Sequence, residues 1–146
     1  MALPRQRVTL ITLGVGDLTR AEAFYRAWGW TPHPASQDGV RFYQMQGAVL
    51  GLFGLSDLAE DQGRPDAVLG TGAMTLAQNM SSPAEVDRVF DDGLRAGAVA
   101  LKQPQAVFWG GYSGYLADPD GHVWELAHNP YWPLADDGSL TLPESD

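Results

Sequence analysis

The alternation of apolar and polar positions divides the first third of the chain into a strand, a helix and a hairpin. Residues 8–15 (VTLITLGV) are rich in β-branched and aliphatic side chains, which predicts a strand. The spacing of a capping box in Thr19-Arg20-Ala21-Glu22 predicts a helix that ends at Gly29. Two short apolar runs within residues 40–53 then flank Gly47, a pattern typical of a hairpin.

The second half of the chain repeats this order. Residues 73–80 predict a strand, and Ser82-Pro83-Ala84-Glu85 is a second capping box with proline at the first helical position. Apolar residues recur from Val86 at i, i+3, i+4, i+7 and i+8, so this helix has one apolar face and is expected to end by Gly97. Further strands are predicted at 99–101, 115–117 and 123–127, the last two joined by the turn residues Asp118-Pro119-Asp120-Gly121.

The two halves therefore form an internal repeat of element order. Aligning Gly29 with Gly97 and Gly47 with Gly121 places strand on strand, helix on helix and hairpin on hairpin. The pattern predicts one α+β domain over residues 1–146, because each half has too little apolar surface to fold alone. Its parts are a βαβββ module at 8–54, a polar connector at 55–71 with one helical turn after Ser56, a second module at 72–130, and an acidic tail at 131–146.

Composition and net charge limit the kinds of chemistry and of binding partner to be expected. The chain has 146 residues, 45% of them hydrophobic, and no cysteine, so disulfides and thiolate chemistry are excluded. Its net charge of −9 repels phosphate backbones and anionic lipids, and we expect neither a nucleic acid nor a membrane partner. No apolar stretch approaches the length of a membrane span, and the first residues lack the apolar region of a signal peptide. A cytoplasmic protein is therefore expected.

Two motifs carry a resemblance to a known family. ITLGVGDLTRAEAFYRAWGW at residues 11–30 and LADPDGHVWEL at residues 116–126 resemble the opening and the closing hairpin of the glyoxalase/bleomycin-resistance/extradiol-dioxygenase (vicinal oxygen chelate) superfamily. The resemblance implies paired βαβββ modules that form an eight-stranded, cup-shaped sheet with the helices outside. It also implies a small-molecule partner, a homodimer and, in many members, a divalent metal.

The resemblance places the family's metal ligands at Leu10, Gly51, Thr75 and Glu125. Leucine and glycine side chains cannot ligate a metal and threonine is a poor ligand, so three of the four positions lack a competent donor. No bound cofactor is expected, and a divalent metal would require a rebuilt site. A one-residue shift would bring in Gln78 or Asn79, but adjacent side chains of a strand point to opposite faces. We expect His33, His122 and His128 to be exposed or capping residues.

Glu125 is the candidate catalytic residue. Val123, Glu125 and Ala127 share one face of the last strand, so the carboxylate is expected among apolar neighbours in the pocket. A carboxylate in such a place serves as a general base or as a ligand anchor. The alternative is a structural glutamate, held by a salt bridge or hydrogen bonds.

Aromatic residues interleaved with glycines precede the last hairpin. The segment 108–115 (FWGGYSGY) offers flat rings with single polar tips, and its glycines let the backbone approach a ligand. The segment is a candidate pocket rim or, alternatively, an irregular strand that packs over the sheet edge, which is the expectation for Phe108. The candidate substrate-binding residues are Thr12, Thr75, Trp109, Tyr112, Tyr115 and Glu125.

Three functions remain open at this point. The first is a protein that binds a small, partly apolar molecule, with a polar or cationic group reaching Glu125 and an aromatic residue stacking at the mouth. The second is a glyoxalase-like lyase or isomerase, or a dioxygenase, that uses Glu125 with a rebuilt metal site. The third is a vestigial pocket in a self-associating protein. Architecture alone cannot choose among these, because this fold hosts many chemistries.

Overall fold

The computed structural model describes residues 6–144, in which seven strands and three helices follow one another. No helix in this range is long and apolar enough to cross a membrane. The elements in chain order are β1 (Leu10–Val15), α1 (Leu18–Ala27), β2 (Val40–Gln44), β3 (Val49–Gly54), α2 (Leu55–Asp61), β4 (Thr75–Asn79), α3 (Pro83–Ala96), β5 (Val99–Ala106), β6 (Tyr112–Ala117) and β7 (Val123–His128).

The strands form two mixed sheets, one for each half of the repeat. The first sheet has the order β1-β3-β2 and the second the order β4-β7-β6-β5. In each sheet the first and last strands of the half pair in parallel, β1 with β3 and β4 with β7, and hairpins supply the antiparallel pairs. The α+β fold with a repeated module is thereby confirmed.

The eight-stranded cup requires a correction. Across residues 6–144 the second half is a complete βαβββ module, whereas the first half lacks the strand that would follow α1. Residues 31–39 make only one bridge, between Gln37 and Val40. Pro32 and Pro34 explain the loss, since proline has no N–H to donate to a strand ladder. The described chain thus has two sheets of three and four strands in place of one eight-stranded sheet.

The two long helices begin differently from each other. Helix α3 starts as the sequence predicts, with Ser82 Oγ accepting the N–H of Glu85 at 3.2 Å. Helix α1 is capped by Asp17, whose carboxylate accepts the N–H of Arg20 at 3.1 Å, so the predicted start at Thr19 is two residues late. Asp17 has the extended backbone of an N-cap residue, and Thr19 is already inside the helix.

The glycines that align the repeat have matching backbones. Gly29 and Gly97, which end the helices, have φ of 109° and 118°. Gly47 and Gly121, which turn the hairpins, have φ of 75° and 93°. Residues with side chains rarely adopt these values, so the same turn needs glycine in both halves.

The core lies between the two long helices and the sheets. Aromatic rings dominate it, and the rings of α1 pack directly on Trp124 of β7. Both halves thus contribute to one core. Its largest fully buried members are Tyr25, Tyr43, Phe90, Leu13, Leu52, Leu116 and Leu126.

The turn between β6 and β7 fastens the second half to α1. The buried Asp118 accepts the hydroxyl hydrogen of Tyr25 at 2.6 Å, and Trp124 Nε1 donates to the same hydroxyl at 3.0 Å. At the surface, Asp120 pairs with Arg20 at 2.8 Å. This turn was predicted to be hairpin architecture, and its two carboxylates also join the halves.

Candidate functional site

The face of the sheets that points away from α1 and α3, here called the open face, carries the positions that the resemblance singles out. On β1 the buried Leu13 and Val15 face the helices, which leaves Leu10 and Thr12 on the open face. By the same alternation Glu125 is on the open face, between the buried Trp124 and Leu126. The four ligand positions Leu10, Gly51, Thr75 and Glu125 thus share this face.

These positions do not offer a firm metal site. The neighbours of Glu125 in register are Ala77 on β4 and Tyr115 on β6, and neither adds a carboxylate or an imidazole. Within residues 6–144 no group of three or more His, Asp or Glu side chains could hold an ion. Hard divalent metals need several oxygen ligands and zinc needs three or four protein groups, so the donors present do not fit the family's metal.

Glu125 and Tyr115 form a polar pair on the open face. They are direct cross-strand partners, so their side chains lie next to each other. Partial burial, and after it the negative charge of Glu125, raise the pKa of the Tyr115 phenol. Lys102, the single lysine of the chain, is the partner of Tyr115 on β5 and extends this polar row.

The other aromatic candidates lie elsewhere. Trp109 occupies the turn between β5 and β6, where its ring covers Gly111 and remains 40% exposed. Phe108, expected to pack over the sheet edge, is fully exposed. The hydroxyl of Tyr112 donates to Asp87 of α3 at 2.6 Å. Tyr112 therefore lies on the helix face, contrary to the expectation that it shares a pocket with Glu125.

A pocket of about 540 Å³ lies between the two sheets, where residues of both β1 and β4 line it. We call it the connector pocket, because α2 and residues 68–74 cover it. Thr12 and Val123 line it from the open face, and Leu55 and Leu58 of α2 supply apolar walls. Gly14 permits this cover, since a Cβ there would lie 2.8 Å from Leu55 Cδ2.

Among the described residues that line the connector pocket, Arg64 is the only lysine, arginine, aspartate or glutamate. Its Nε and Nη2 donate to the Gln62 side-chain oxygen at 3.0 and 2.5 Å. None of the ion pairs in the described chain involves Arg64. Because a guanidinium has five N–H donors, three remain for a ligand.

The predicted site is therefore only partly assembled. Thr12 lines the connector pocket, whereas Glu125, Thr75, Tyr115 and Trp109 do not. Thr75 is exposed on β4, where it pairs in register with Val123. The residues that sequence reasoning missed are all in the connector, and the signal was its Leu55 and Leu58, spaced as one helix face.

The histidines bond to the backbone. His122 Nε2 lies 2.7 Å from the carbonyl oxygen of Gly14, and His128 Nδ1 lies 3.0 Å from that of Met80. His33 Nδ1 accepts the N–H of Ala35 at 3.0 Å. Each ring thus has a structural partner.

Comparison with known proteins gives a consistent family match. The family model of the Glyoxalase/Bleomycin resistance protein/Dioxygenase superfamily matches residues 7–126. A solved structure of a glyoxalase-related enzyme from Fulvimarina pelagi is 42% identical, with 96% of this chain and 100% of that chain covered and a TM-score of 0.88. None of the curated proteins matches.

More distant structures share the fold alone. The lactoylglutathione lyase of Agrobacterium tumefaciens is 24% identical over 87% of this chain and 96% of that chain, with a TM-score of 0.65. A hypothetical protein, SA1046, from S. aureus is 20% identical over 86% of this chain and 95% of that chain, with a TM-score of 0.72.

Proposed function

Because the chain belongs to the glyoxalase/bleomycin resistance protein/dioxygenase superfamily, we propose that it binds a small, partly apolar molecule in the connector pocket. The observation that carries the proposal is the pocket itself. Its volume of about 540 Å³ is within the usual range for small-molecule sites. Leu55 and Leu58 give it apolar walls, and Arg64 contributes a positively charged side chain.

The lining indicates how such a ligand would be oriented. The apolar part would lie against α2, and a hydrogen-bond acceptor or a carboxylate would meet the three free donors of Arg64. Glu125 follows Val123 by two residues on the open face, so a ligand longer than the pocket would bring a donor or cationic group towards it. The sequence analysis predicted the contact with Glu125 but not the one with Arg64.

Binding can be tested with a thermal-shift screen of small acids, ketones and amines, followed by calorimetry. We expect Arg64→Gln to weaken a carboxylate-bearing hit roughly tenfold, because it removes a charge-assisted hydrogen bond. Arg88→Gln is the matched control, since Arg88 is an exposed arginine of α3 outside the pocket. A screen without hits, or hits equally sensitive to both variants, would reject the connector pocket as the site.

The proposal includes no tightly bound metal, since Glu125 is alone among the four ligand positions in having a competent donor. Elemental analysis of protein purified without chelators is the direct measurement. We expect far less than one equivalent of zinc, nickel, iron or manganese. A stoichiometric metal that is lost in Glu125→Gln would show that the site is rebuilt around this carboxylate, and it would favour an enzyme.

A lyase or isomerase is the second candidate function. It is favoured by the position of Glu125 beside Tyr115 on the open face. In such a reaction the Glu125 carboxylate would take a proton from the carbon next to a carbonyl group and return it to a neighbouring atom. Solvent deuterium exchange into small carbonyl compounds, present in the parent and absent in Glu125→Gln, would support it. The dioxygenase alternative needs metal ligands that these positions do not supply.

A further inference from the structure

A second pocket, of about 610 Å³, also lies between the two sheets, where Ile11 of β1 and residues 76–78 of β4 line it. We call it the hairpin pocket, because the β2–β3 hairpin forms one of its walls. The internal repeat relates the two pockets. Ala48 and Val49 line the hairpin pocket, and their equivalents His122 and Val123 line the connector pocket.

Strands β1 and β4, which both contribute to the two linings, are related by the same repeat. With Leu10 aligned on Thr75, residues Thr12 and Leu13 of the connector pocket correspond to Ala77 and Gln78 of the hairpin pocket. The two pockets therefore occupy equivalent places in the two repeated modules. They differ in the side chains that line them and in the segments of chain that cover them.

At Gln78 the two modules differ in the chemical character of the side chain. Its equivalent, Leu13, is a buried core leucine. The amide nitrogen of Gln78 is completely buried and has no hydrogen-bond partner in the part of the chain that the structure describes. Buried polar groups without a partner are rare because they cost free energy, so each calls for an explanation.

The rest of the hairpin pocket is uncharged and mostly apolar, with Gln44 and Gln46 as its other polar side chains among the described residues. None of the described residues that line it is a Lys, Arg, Asp, Glu or His. Trp30 and Trp124 lie nearly perpendicular there, with ring centroids 5.3 Å apart, and Ile11 and Leu76 contribute aliphatic surface. A charged ligand would lose its hydration without gaining a partner, whereas a neutral one would bury apolar surface.

We propose that the hairpin pocket is a second ligand site, which takes a neutral, largely apolar molecule whose carbonyl oxygen accepts a hydrogen bond from Gln78 Nε2 once the side-chain amide has rotated to present this nitrogen to the pocket. The carbonyl group supplies the missing acceptor, and the indole rings and aliphatic side chains surround the apolar part. This site is independent of the connector pocket and of Arg64. It remains testable whether or not the proposed function holds.

The test compares two probes of nearly equal shape, acetophenone and ethylbenzene, of which only the first has a carbonyl group. Saturation-transfer NMR titrations measure their affinities for the parent. We expect saturable binding of acetophenone and a several-fold preference for it over ethylbenzene. Non-saturable binding, or equal affinity for both probes, would overturn the proposal without any variant.

Gln78→Leu installs the residue found at the equivalent position of the first half. We expect it to weaken acetophenone binding roughly three- to tenfold and to abolish the preference, as the loss of one hydrogen bond implies. Urea unfolding should show equal or greater stability, because an unpaired donor has been removed, so weaker binding cannot be ascribed to a damaged fold. Gln105→Leu, on the exposed strand β5, is the matched control and should change neither quantity.

Two further outcomes are decisive. Arg64→Gln should leave acetophenone binding unchanged, which separates this site from the connector pocket. If Gln78→Leu alters dimer dissociation in light scattering but leaves probe binding unchanged, the hairpin pocket is a protein interface and the proposal fails.

Discussion

The hydroxyl group of Tyr25 should be worth far more to stability than that of its neighbour Tyr43. Tyr25 donates to Asp118 at 2.6 Å and accepts from Trp124 Nε1 at 3.0 Å, and all three side chains are buried. Tyr25→Phe leaves a buried carboxylate oxygen and a buried indole N–H without this partner. A hydrogen bond to a charged group contributes about 1.5–3 kcal/mol and a stranded donor costs about 1–3 kcal/mol, so we expect a net loss of roughly 2–4 kcal/mol.

Tyr43 provides a matched control within the same core. Its ring is 2% exposed and its centroid lies 6.0 Å from that of Tyr25. Its hydroxyl is also buried, but it has no hydrogen-bond partner within residues 6–144. Tyr43→Phe makes the identical chemical change and removes an unpaired polar group. We expect it to be neutral or to stabilise the protein by up to about 1 kcal/mol.

Urea unfolding followed by tryptophan fluorescence measures both variants on one scale. The slope of the free energy of unfolding against urea should stay constant, so the midpoints report stability directly. Similar losses in the two variants, or a larger loss for Tyr43→Phe, would contradict the reasoning. Packing of the aromatic rings would then account for the stability of the core, and the hydrogen bond from Tyr25 to Asp118 would contribute little.

Three other outcomes are expected. Burial raises the pKa of Tyr25 and raises that of Tyr43 to about 12, so the folded state holds both phenolic protons above the ordinary value near 10. Their contribution to stability is complete below pH 10 and falls as pH rises towards 12, and alkaline urea titrations should show a shallower fall for Tyr43→Phe. Gly93→Ala should cost about 1–3 kcal/mol despite better helix propensity, because its Cβ would lie 2.6 Å from Leu116 Cδ2, whereas Gly39→Ala, with open space around it, should be neutral in the same urea assay. Light scattering at micromolar concentration should give the mass of a homodimer, since open sheet edges favour covering, and a monomer mass would contradict this expectation.

Features encoded locally could be predicted from the sequence. The start of α3 follows from Ser82 and Pro83, which determine where the first turn can form. The four glycines at helix ends and hairpin turns gave the repeat, because a left-handed backbone strongly favours that residue. The face of Glu125 followed from strand alternation. The same alternation, applied from residue 115 back to 112, would have placed Tyr112 on the helix face.

Features that depend on competition or on distant contacts could not be predicted. Asp17 and Thr19 are both good N-caps, and the choice between them rests on where β1 ends. Asp118 and Asp120 have sufficient local reasons to form a turn, and nothing nearby in the sequence indicates their bonds to α1. Arg64 lines the connector pocket because of the path that the connector takes across the sheets, and its local sequence does not determine that path.

Chain connectivity explains why a repeated frame has two unlike pockets. The parallel pairing of β1 with β3 puts the end of β3 at Gly54 beside Val15, so the connector to β4 begins at the connector-pocket end and covers it. The equivalent segment after β7 is residues 129–144, which form no strand in the part of the chain that the structure describes. It starts beside the end of β4 and contacts the β2–β3 hairpin, where Gln46 Nε2 donates to the Asp137 carbonyl oxygen. One end thus acquires a cover and the charge of Arg64, while the other keeps an uncharged lining, so the two proposed sites differ in polarity although their backbones are equivalent.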